Sequence, residues 1–193
     1  MNRSIRSFLV LCAVSAFGVA GAGVGVAQAQ VPEPTSTTYA RGVTPAEALK
    51  VERTKRGQSA AAARVVCYRA HVADHGWLGT TCDGNWAGSF GLNKAMESLE
   101  VAVGGVGRVC VRAHLRNYGW ENFSCANDYV NVRVGTVGQA RPMEAVEIAV
   151  SSGRVTAQAH VQNVGTMAAR NDGVVTVGTE GRALNLEAIA LWV

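Results

Sequence analysis

The sequence predicts an all-β protein with a closed, pseudo-threefold architecture, preceded by a signal peptide and a flexible tail. Two observations predict it: three segments of about 43 residues resemble one another, and each contains two strings in which apolar and polar residues alternate. Such alternation is typical of half-buried strands. One unit cannot bury its own apolar face, whereas three units can close around a common core. The β-prism and the β-trefoil both fit three units of this size, and the sequence leaves the choice open.

Residues 1–29 have the order of a secretory signal peptide. A short positive region carries Arg3 and Arg6, an apolar run follows, and Ala27-Gln28-Ala29 matches a small-x-small cleavage site. A membrane anchor is the alternative, but four glycines weaken the apolar run and the cleavage site follows directly. We therefore expect a protein secreted by a bacterium, extracellular and without membrane insertion.

Residues 30–64 belong to no repeat and form the predicted flexible tail. They hold six basic and three acidic residues, for a net charge of +3, whereas residues 65–193 hold ten basic and eleven acidic residues. The whole chain carries only +4, which does not indicate a nucleic-acid partner. Thr44-Pro45-Ala46-Glu47 is a capping box with proline at the first helical position, so a short helix is predicted over 45–57.

The basic tail is the predicted binding segment for a protein partner, with a plain linker as the alternative. A partner with an acidic cleft would receive it through charge complementarity. The candidate partner-binding residues are Tyr39, Arg41, Lys50, Arg53, Lys55 and Arg56. If the tail is independent of the β domain, its removal should leave the melting temperature unchanged.

The three repeats span residues 65–107, 108–153 and 154–193, and each is expected to hold three or four short strands. Each has a histidine in its first string, a glutamate at the start of its second string, and a glycine between them. The histidines are His71, His114 and His160; the glutamates are Glu97, Glu144 and Glu187; the glycines are Gly88, Gly135 and Gly178.

These repeated polar residues have two interpretations. Three histidines around a threefold axis would be a zinc-ligand set, whereas local hydrogen bonding within each repeat would make them structural. We favour the structural interpretation, in which each glutamate accepts hydrogen bonds from the nearby Gly-Trp turn. Residues repeated three times report on the fold, while a catalytic site usually occurs once. No enzyme, metal site or cofactor is therefore expected.

Three tryptophans are candidates for surface or glycan contacts. Trp77 and Trp120 precede short polar loops, where they either stack on sugar rings or anchor the core of their repeats. Core packing is the favoured interpretation. Trp86 is unrepeated, which makes it a better candidate for a surface contact.

Four cysteines follow the signal segment, and their spacing predicts two disulfide bonds. Cys67 and Cys82 are 15 residues apart, as are Cys110 and Cys125. The third repeat has Thr156 and Asn171 at the equivalent places, so both partners are absent together. That joint absence favours bonds within each repeat.

The recurring strings resemble the clostridial hydrophobic W (ChW) repeat. They have the form Tyr-x-Ala-His-Val-x-x-x-Gly-Trp, then Gly-Thr, then Leu-Glu-Ala-Ile, and they cover residues 65–193. Thr166 replaces the tryptophan in the third repeat. The resemblance implies a secreted, modular and non-catalytic protein that binds proteins or surface polymers. The layout of signal, charged tail and small β domain also resembles the adaptor subunits of secreted antibacterial umbrella toxin particles.

The predicted function is that of a secreted, non-enzymatic adaptor that binds one extracellular protein through the β domain and another through the basic tail. The alternatives are a lectin that binds cell-wall or surface glycans, and a secreted protease inhibitor.

Overall fold

A computed structural model describes residues 38–57 and 63–193. The predicted signal peptide and part of the tail lie outside the described residues. The helix α1 spans Pro45–Lys55. The first repeat contributes β1 (Val65–Val72), β2 (Gly76–Trp77), β3 (Thr81–Cys82), β4 (Ala87–Gly88) and β5 (Met96–Gly104). The second contributes β6 (Arg108–Leu115), β7 (Gly119–Trp120), β8 (Ser124–Asn127), β9 (Val132–Gly135) and β10 (Met143–Val150). The third contributes β11 (Val155–Val161), β12 (Gly165–Thr166), β13 (Arg170–Asp172), β14 (Val174–Gly178) and β15 (Leu186–Trp192).

Each repeat has five strands rather than three or four, because the additional strands are too short to show alternation in the sequence. Among the residues described, no helix has the length and apolar character needed to cross a membrane.

The strands form three antiparallel sheets, and each sheet borrows one strand from another repeat. Sheet 1 contains β1, β2, β3 and β5 together with β9 of the second repeat. Sheet 2 contains β6, β7, β8 and β10 together with β14 of the third repeat. Sheet 3 contains β11, β12, β13 and β15 together with β4 of the first repeat, which closes the cycle. This confirms the all-β, pseudo-threefold prediction, and three separate sheets correspond to the prism.

The glycine that recurs in the three repeats lies at the end of each borrowed strand. Gly88, Gly135 and Gly178 all have positive φ, and a Cβ atom on any of them would lie 2.2–2.3 Å from a backbone oxygen of the receiving sheet. The next residue then donates its N–H to that same oxygen, as Thr136 does to Glu97. Glycine is therefore required where the borrowed strand meets its acceptor.

The core lies between the three sheets and is lined by every second residue of the long strands, as the alternation predicts. Tyr68 joins two repeats there: its hydroxyl donates to the Asn85 carbonyl at 2.5 Å and accepts from the Leu191 N–H at 2.9 Å. Burial raises the pKa of this tyrosine.

The helix α1 begins as predicted, since the Thr44 N–H donates to Glu47 Oε2 at 2.8 Å and Pro45 is the first helical residue. It ends at Lys55 and is not part of an independent tail. Leu49 is 1% exposed, in a small cluster with Cys67 and Ala102 on the outer face of sheet 1. The expectation of a flexible tail is therefore wrong for residues 38–57, because α1 forms an additional layer over this sheet.

The segment that precedes α1 is held by main-chain contacts to the first repeat. The Tyr39 N–H donates to the Thr80 carbonyl at 2.7 Å, and the Thr80 hydroxyl donates to the Val43 carbonyl at 2.5 Å. The Arg69 guanidinium donates to the Arg41 carbonyl at 3.2 Å. Residues 39–43 therefore run across the β domain in a fixed path.

Candidate interaction surfaces

The two predicted disulfide bonds are confirmed, between Cys67 and Cys82 and between Cys110 and Cys125. Each links two residues directly opposite one another on neighbouring strands. In the third repeat Thr156 and Asn171 are opposite in the same way, and the Asn171 amide donates to the Thr156 hydroxyl at 2.5 Å. A hydrogen bond thus occupies the place of the missing disulfide. Two disulfides indicate an oxidising, extracellular environment.

Each repeated histidine contacts the glutamate of its own repeat. The distances from ring nitrogen to carboxylate oxygen are 3.1 Å for His71–Glu97, 3.1 Å for His114–Glu144 and 3.6 Å for His160–Glu187. All three pairs lie within ion-pair distance, but His71 Nδ1 and His114 Nδ1 make no hydrogen bond to their glutamates. The histidine, rather than the Gly-Trp turn, is therefore the neighbour of each glutamate. The three histidines lie in three different sheets, and the described residues contain no group of three or more metal-ligating side chains.

Trp77 and Trp120 are half-buried, and a guanidinium covers one face of each indole. In the first repeat Arg69 Cζ lies 4.7 Å from the centre of the Trp77 ring, and the same guanidinium pairs with Glu100 at 2.7 Å. The second repeat repeats this arrangement with Arg112, Trp120 and Glu147. Each indole also packs against the histidine of its own repeat, with ring centroids 5.4 Å apart for His71–Trp77 and 5.2 Å apart for His114–Trp120. Both rings are thus enclosed by an arginine and a histidine, which counts against a lectin role for both tryptophans.

The third repeat lacks all three members of this stack. Gln158, Thr166 and Ala190 stand where the other repeats have arginine, tryptophan and glutamate. An aromatic ring from the first repeat replaces the tryptophan, since Phe90 lies 4.6 Å from His160 between ring centroids. Trp86 packs edge-on against Phe90 at 5.1 Å and is half-buried. The sequence contains one signal for the replacement of the tryptophan by Phe90: the other repeats have Val137 and Glu180, rather than an aromatic residue, at the equivalent position.

We predict that the Phe90 ring and the missing tryptophan are energetically coupled. Phe90→Ala should lower the free energy of unfolding by about 1 kcal/mol, because it removes an aromatic contact with His160. Thr166→Trp alone should bring no gain, whereas Thr166→Trp in the Phe90→Ala background should recover the loss. Urea unfolding of the four proteins in a double-mutant cycle measures this coupling, with Val137→Ala as the matched control. Strictly additive effects would contradict the replacement.

The structure brings most of the predicted partner-binding residues of the tail into contacts within the domain. Tyr39 donates to Glu52 at 2.5 Å, and Lys55 donates to the same carboxylate at 3.0 Å. Burial alone would raise the pKa of Glu52, but these two hydrogen bonds together with the charges of Lys55 and Arg56 outweigh it and leave that pKa below its ordinary value. The remaining contacts are Arg41 to the His75 carbonyl, Arg56 to Asp83, and Arg53 over the Tyr129 ring.

Lys50 and Arg53 are both exposed, although the Arg53 guanidinium also lies 5.4 Å from the centre of the Tyr129 ring. Sequence reasoning missed the residues that hold the helix in place, namely Asp83, Tyr129 and Asn131, whose amide oxygen accepts the Ala46 N–H at 2.8 Å. These three lie in loops of the first two repeats, where no periodic pattern marks them.

The fold and these pairs define a three-repeat β protein stapled by two disulfides. The family model described as Clostridial hydrophobic W matches residues 71–105 and 160–193. Two segments of the chain therefore match the ChW model, which confirms the resemblance predicted from its sequence. The second matched segment lies in the third repeat and includes Thr166, the residue that replaces the tryptophan there. No curated protein and no solved structure matches the chain significantly.

Proposed function

We propose that this protein is a non-enzymatic extracellular adaptor, and that the exposed side of α1 is one of its two binding surfaces. The observation that carries the proposal is the charge of this helix. Its two acidic residues are engaged within the segment, Glu47 at the helix cap and Glu52 with Tyr39 and Lys55. Lys50 and Arg53 are thus exposed cations without a carboxylate of the helix to pair with, on a helix whose apolar side packs on sheet 1.

This surface suits a partner with an acidic face. Residues 38–57 hold five basic and two acidic residues while the β domain is slightly acidic, so positive charge is concentrated on one side of sheet 1. Because α1 is already ordered, binding does not cost the conformational entropy of folding this segment. The exposed charges should act mainly on the rate of association and on the choice of partner.

The second surface is the loop end, which we define as the turns β1–β2, β6–β7 and β11–β12 with the loops β4–β5, β9–β10 and β14–β15. Main-chain hydrogen bonds join each turn to a loop, for example from the Ala73 N–H to the Ala95 carbonyl at 2.9 Å. Five of the exposed large apolar side chains lie here: Phe90, Leu92, Tyr118, Val137 and Val164. Apolar groups at a rim of polar loops are typical of protein interfaces.

Two surfaces on different parts of one small domain would let it bridge two extracellular proteins. The layout supports a role in a secreted antibacterial toxin assembly, in which an adaptor joins a toxin-bearing subunit to a targeting subunit. A protease inhibitor would instead require a loop that enters a cleft, and it would need only one surface.

The experiment compares two variants with equal changes in net charge. Lys50→Glu with Arg53→Glu should reduce capture of a protein partner from the native culture medium by about tenfold, because the acidic face of the partner would then be repelled. Arg108→Glu with Arg170→Glu, which changes two exposed arginines outside both α1 and the loop end, should leave capture unchanged. Both proteins should be fully folded under the capture conditions, which urea unfolding checks, although Arg53→Glu also removes the guanidinium above the Tyr129 ring. Capture by the native protein should fall as salt rises.

Capture is quantified by mass spectrometry, and the partner is then purified for a direct binding measurement. Equal losses in the two variants would show a response to net charge alone and would reject the α1 surface. Full binding by the α1 variant would reject it as well.

A further inference from the structure

The second repeat contains a cleft of about 320 Å³ at the loop end. The β6–β7 turn contributes Asn117 and Tyr118 to its walls, and the β9–β10 loop contributes Gln139 and Arg141. The cleft is lined by an aromatic ring, two amide groups and a guanidinium. Its size lies at the lower end of the range for small-molecule sites.

Arg141 and Tyr118 form a stacked pair in this cleft. Arg141 Cζ lies 4.0 Å from the centre of the Tyr118 ring, and this tyrosine is 62% exposed. Pro142 restricts the backbone of the preceding Arg141, which helps to fix where the guanidinium projects. A guanidinium that stacks by its face keeps its N–H edge available for an anion.

The equivalent positions of the other repeats do not reproduce the pair. In the first repeat Lys94 takes the place of Arg141, but it pairs with Asp74 at 2.6 Å. The hydrogen bond from Lys94 lowers the pKa of that aspartate, which keeps it charged. In the second repeat the counterpart of Asp74 is the neutral Asn117, so the cation there lacks that carboxylate.

The third repeat has Leu184 and Val164 at the positions of Arg141 and Tyr118. A residue set that occurs in one repeat of three is not required by the fold, because the other two repeats adopt the same fold without it. The Arg141–Tyr118 pair is therefore a candidate for a role in binding rather than in the stability of the repeat.

A second guanidinium, that of Arg116, also lines the cleft. Arg116 donates to the Ala183 carbonyl at 2.6 Å and to Asn185 Oδ1 at 2.7 Å, and it lies 3.7 Å from the buried Glu144 carboxylate. This guanidinium is held in place by its partners and is not available to rotate toward a ligand. Arg141 is then the group that would meet an anion.

We propose that this cleft binds a carboxylated sugar. The exposed face of Tyr118 would stack on the pyranose ring, and Arg141 would bind the carboxylate through its N–H edge. The amides of Asn117 and Gln139 would hydrogen-bond to hydroxyl groups. A carboxylate alone would engage only Arg141, whereas the aromatic face and the two amides suit a sugar ring bearing several hydroxyls.

The test is an NMR titration of the full-length secreted protein with D-glucuronate. We expect saturable shifts of the Tyr118 ring and Arg141 side-chain signals, with a dissociation constant on the order of 1 mM. Arg141→Gln should weaken binding about tenfold through the loss of a charge-assisted contact. Lys94→Gln, the equivalent change in the first repeat, should have no effect, and Tyr118→Phe should retain most of the affinity while Tyr118→Ala loses it.

Two further ligands distinguish the contribution of the sugar ring from that of the carboxylate. D-glucose, which keeps the ring but lacks the carboxylate, should bind at least about tenfold more weakly than glucuronate. Acetyl-glutamate amide, which keeps a carboxylate but has no sugar ring, should also bind more weakly. Equal affinity for the glutamate derivative would assign the cleft to acidic peptides and overturn the proposal. Shifts that do not saturate, or an equal loss in the Lys94→Gln variant, would overturn it too.

Discussion

Replacing Leu49 by alanine should lower the free energy of unfolding by about 2–3 kcal/mol, because it removes a fully buried side chain between α1 and sheet 1. Val51→Ala is the matched control on the same helix. Val51 is 43% exposed, so its truncation should change stability by no more than about 0.5 kcal/mol. Urea unfolding of the three proteins measures the difference.

The same reasoning reverses the expectation that the tail can be removed without effect. Deletion through α1 would uncover Val65, Cys67 and Ala102 on the outer face of sheet 1, so we now expect the melting temperature to fall. An Leu49→Ala protein as stable as the Val51→Ala control would show that α1 does not pack on the sheet.

The two disulfides should differ in their contribution to stability, although each closes a loop with the same sequence separation of 15 residues. Changing Cys110 and Cys125 to alanine should cost about 3 kcal/mol through the entropy of the unfolded chain. Changing Cys67 and Cys82 to alanine should cost about 1–2 kcal/mol more, because their sulfur atoms also pack beneath α1.

Chemical denaturation of the two double variants tests this difference, since loop length cancels between them. The Cys67/Cys82 variant should also expose Leu49 to solvent more readily. Equal losses in the two variants would mean that the helix contributes nothing to the packing of the first disulfide.

The sequence predicts those parts of the fold that leave a periodic trace. The alternation in the long strands marks Leu99 and Val101 as core residues, and the spacing of the cysteines marks both disulfides. The exchange of strands between repeats leaves no such trace, because β4 has only two residues and β9 only four. The shared glycine that ends each borrowed strand is the one signal of this exchange in the sequence. The reason for the glycine is visible only in the structure, where the backbone of the receiving sheet leaves no room for a Cβ atom.

The docking of α1 could not be predicted for a different reason. Its apolar side consists mainly of Ala46, Ala48 and Leu49, which is too small a set to indicate a buried face among so many charged residues. The charge of the segment suggested a solvated tail, whereas the charged side chains mostly contact groups of the same domain. The packing around Trp77 and Trp120 could not be predicted from the sequence either. The guanidiniums over these rings come from strand positions that alternate with the core, and nothing in the sequence marks them as partners of the tryptophans.

Hydrogen exchange at the backbone amides of α1 tests the central claim most directly, which is that the basic segment is a docked helix rather than a flexible tail. The account predicts that the amides from Ala48 to Lys55 exchange at least about a thousandfold more slowly than in an unstructured peptide, with protection reduced by about thirtyfold or more in the Leu49→Ala protein. Exchange of these amides at unstructured rates in the native protein, beside a fully protected β domain, would contradict it.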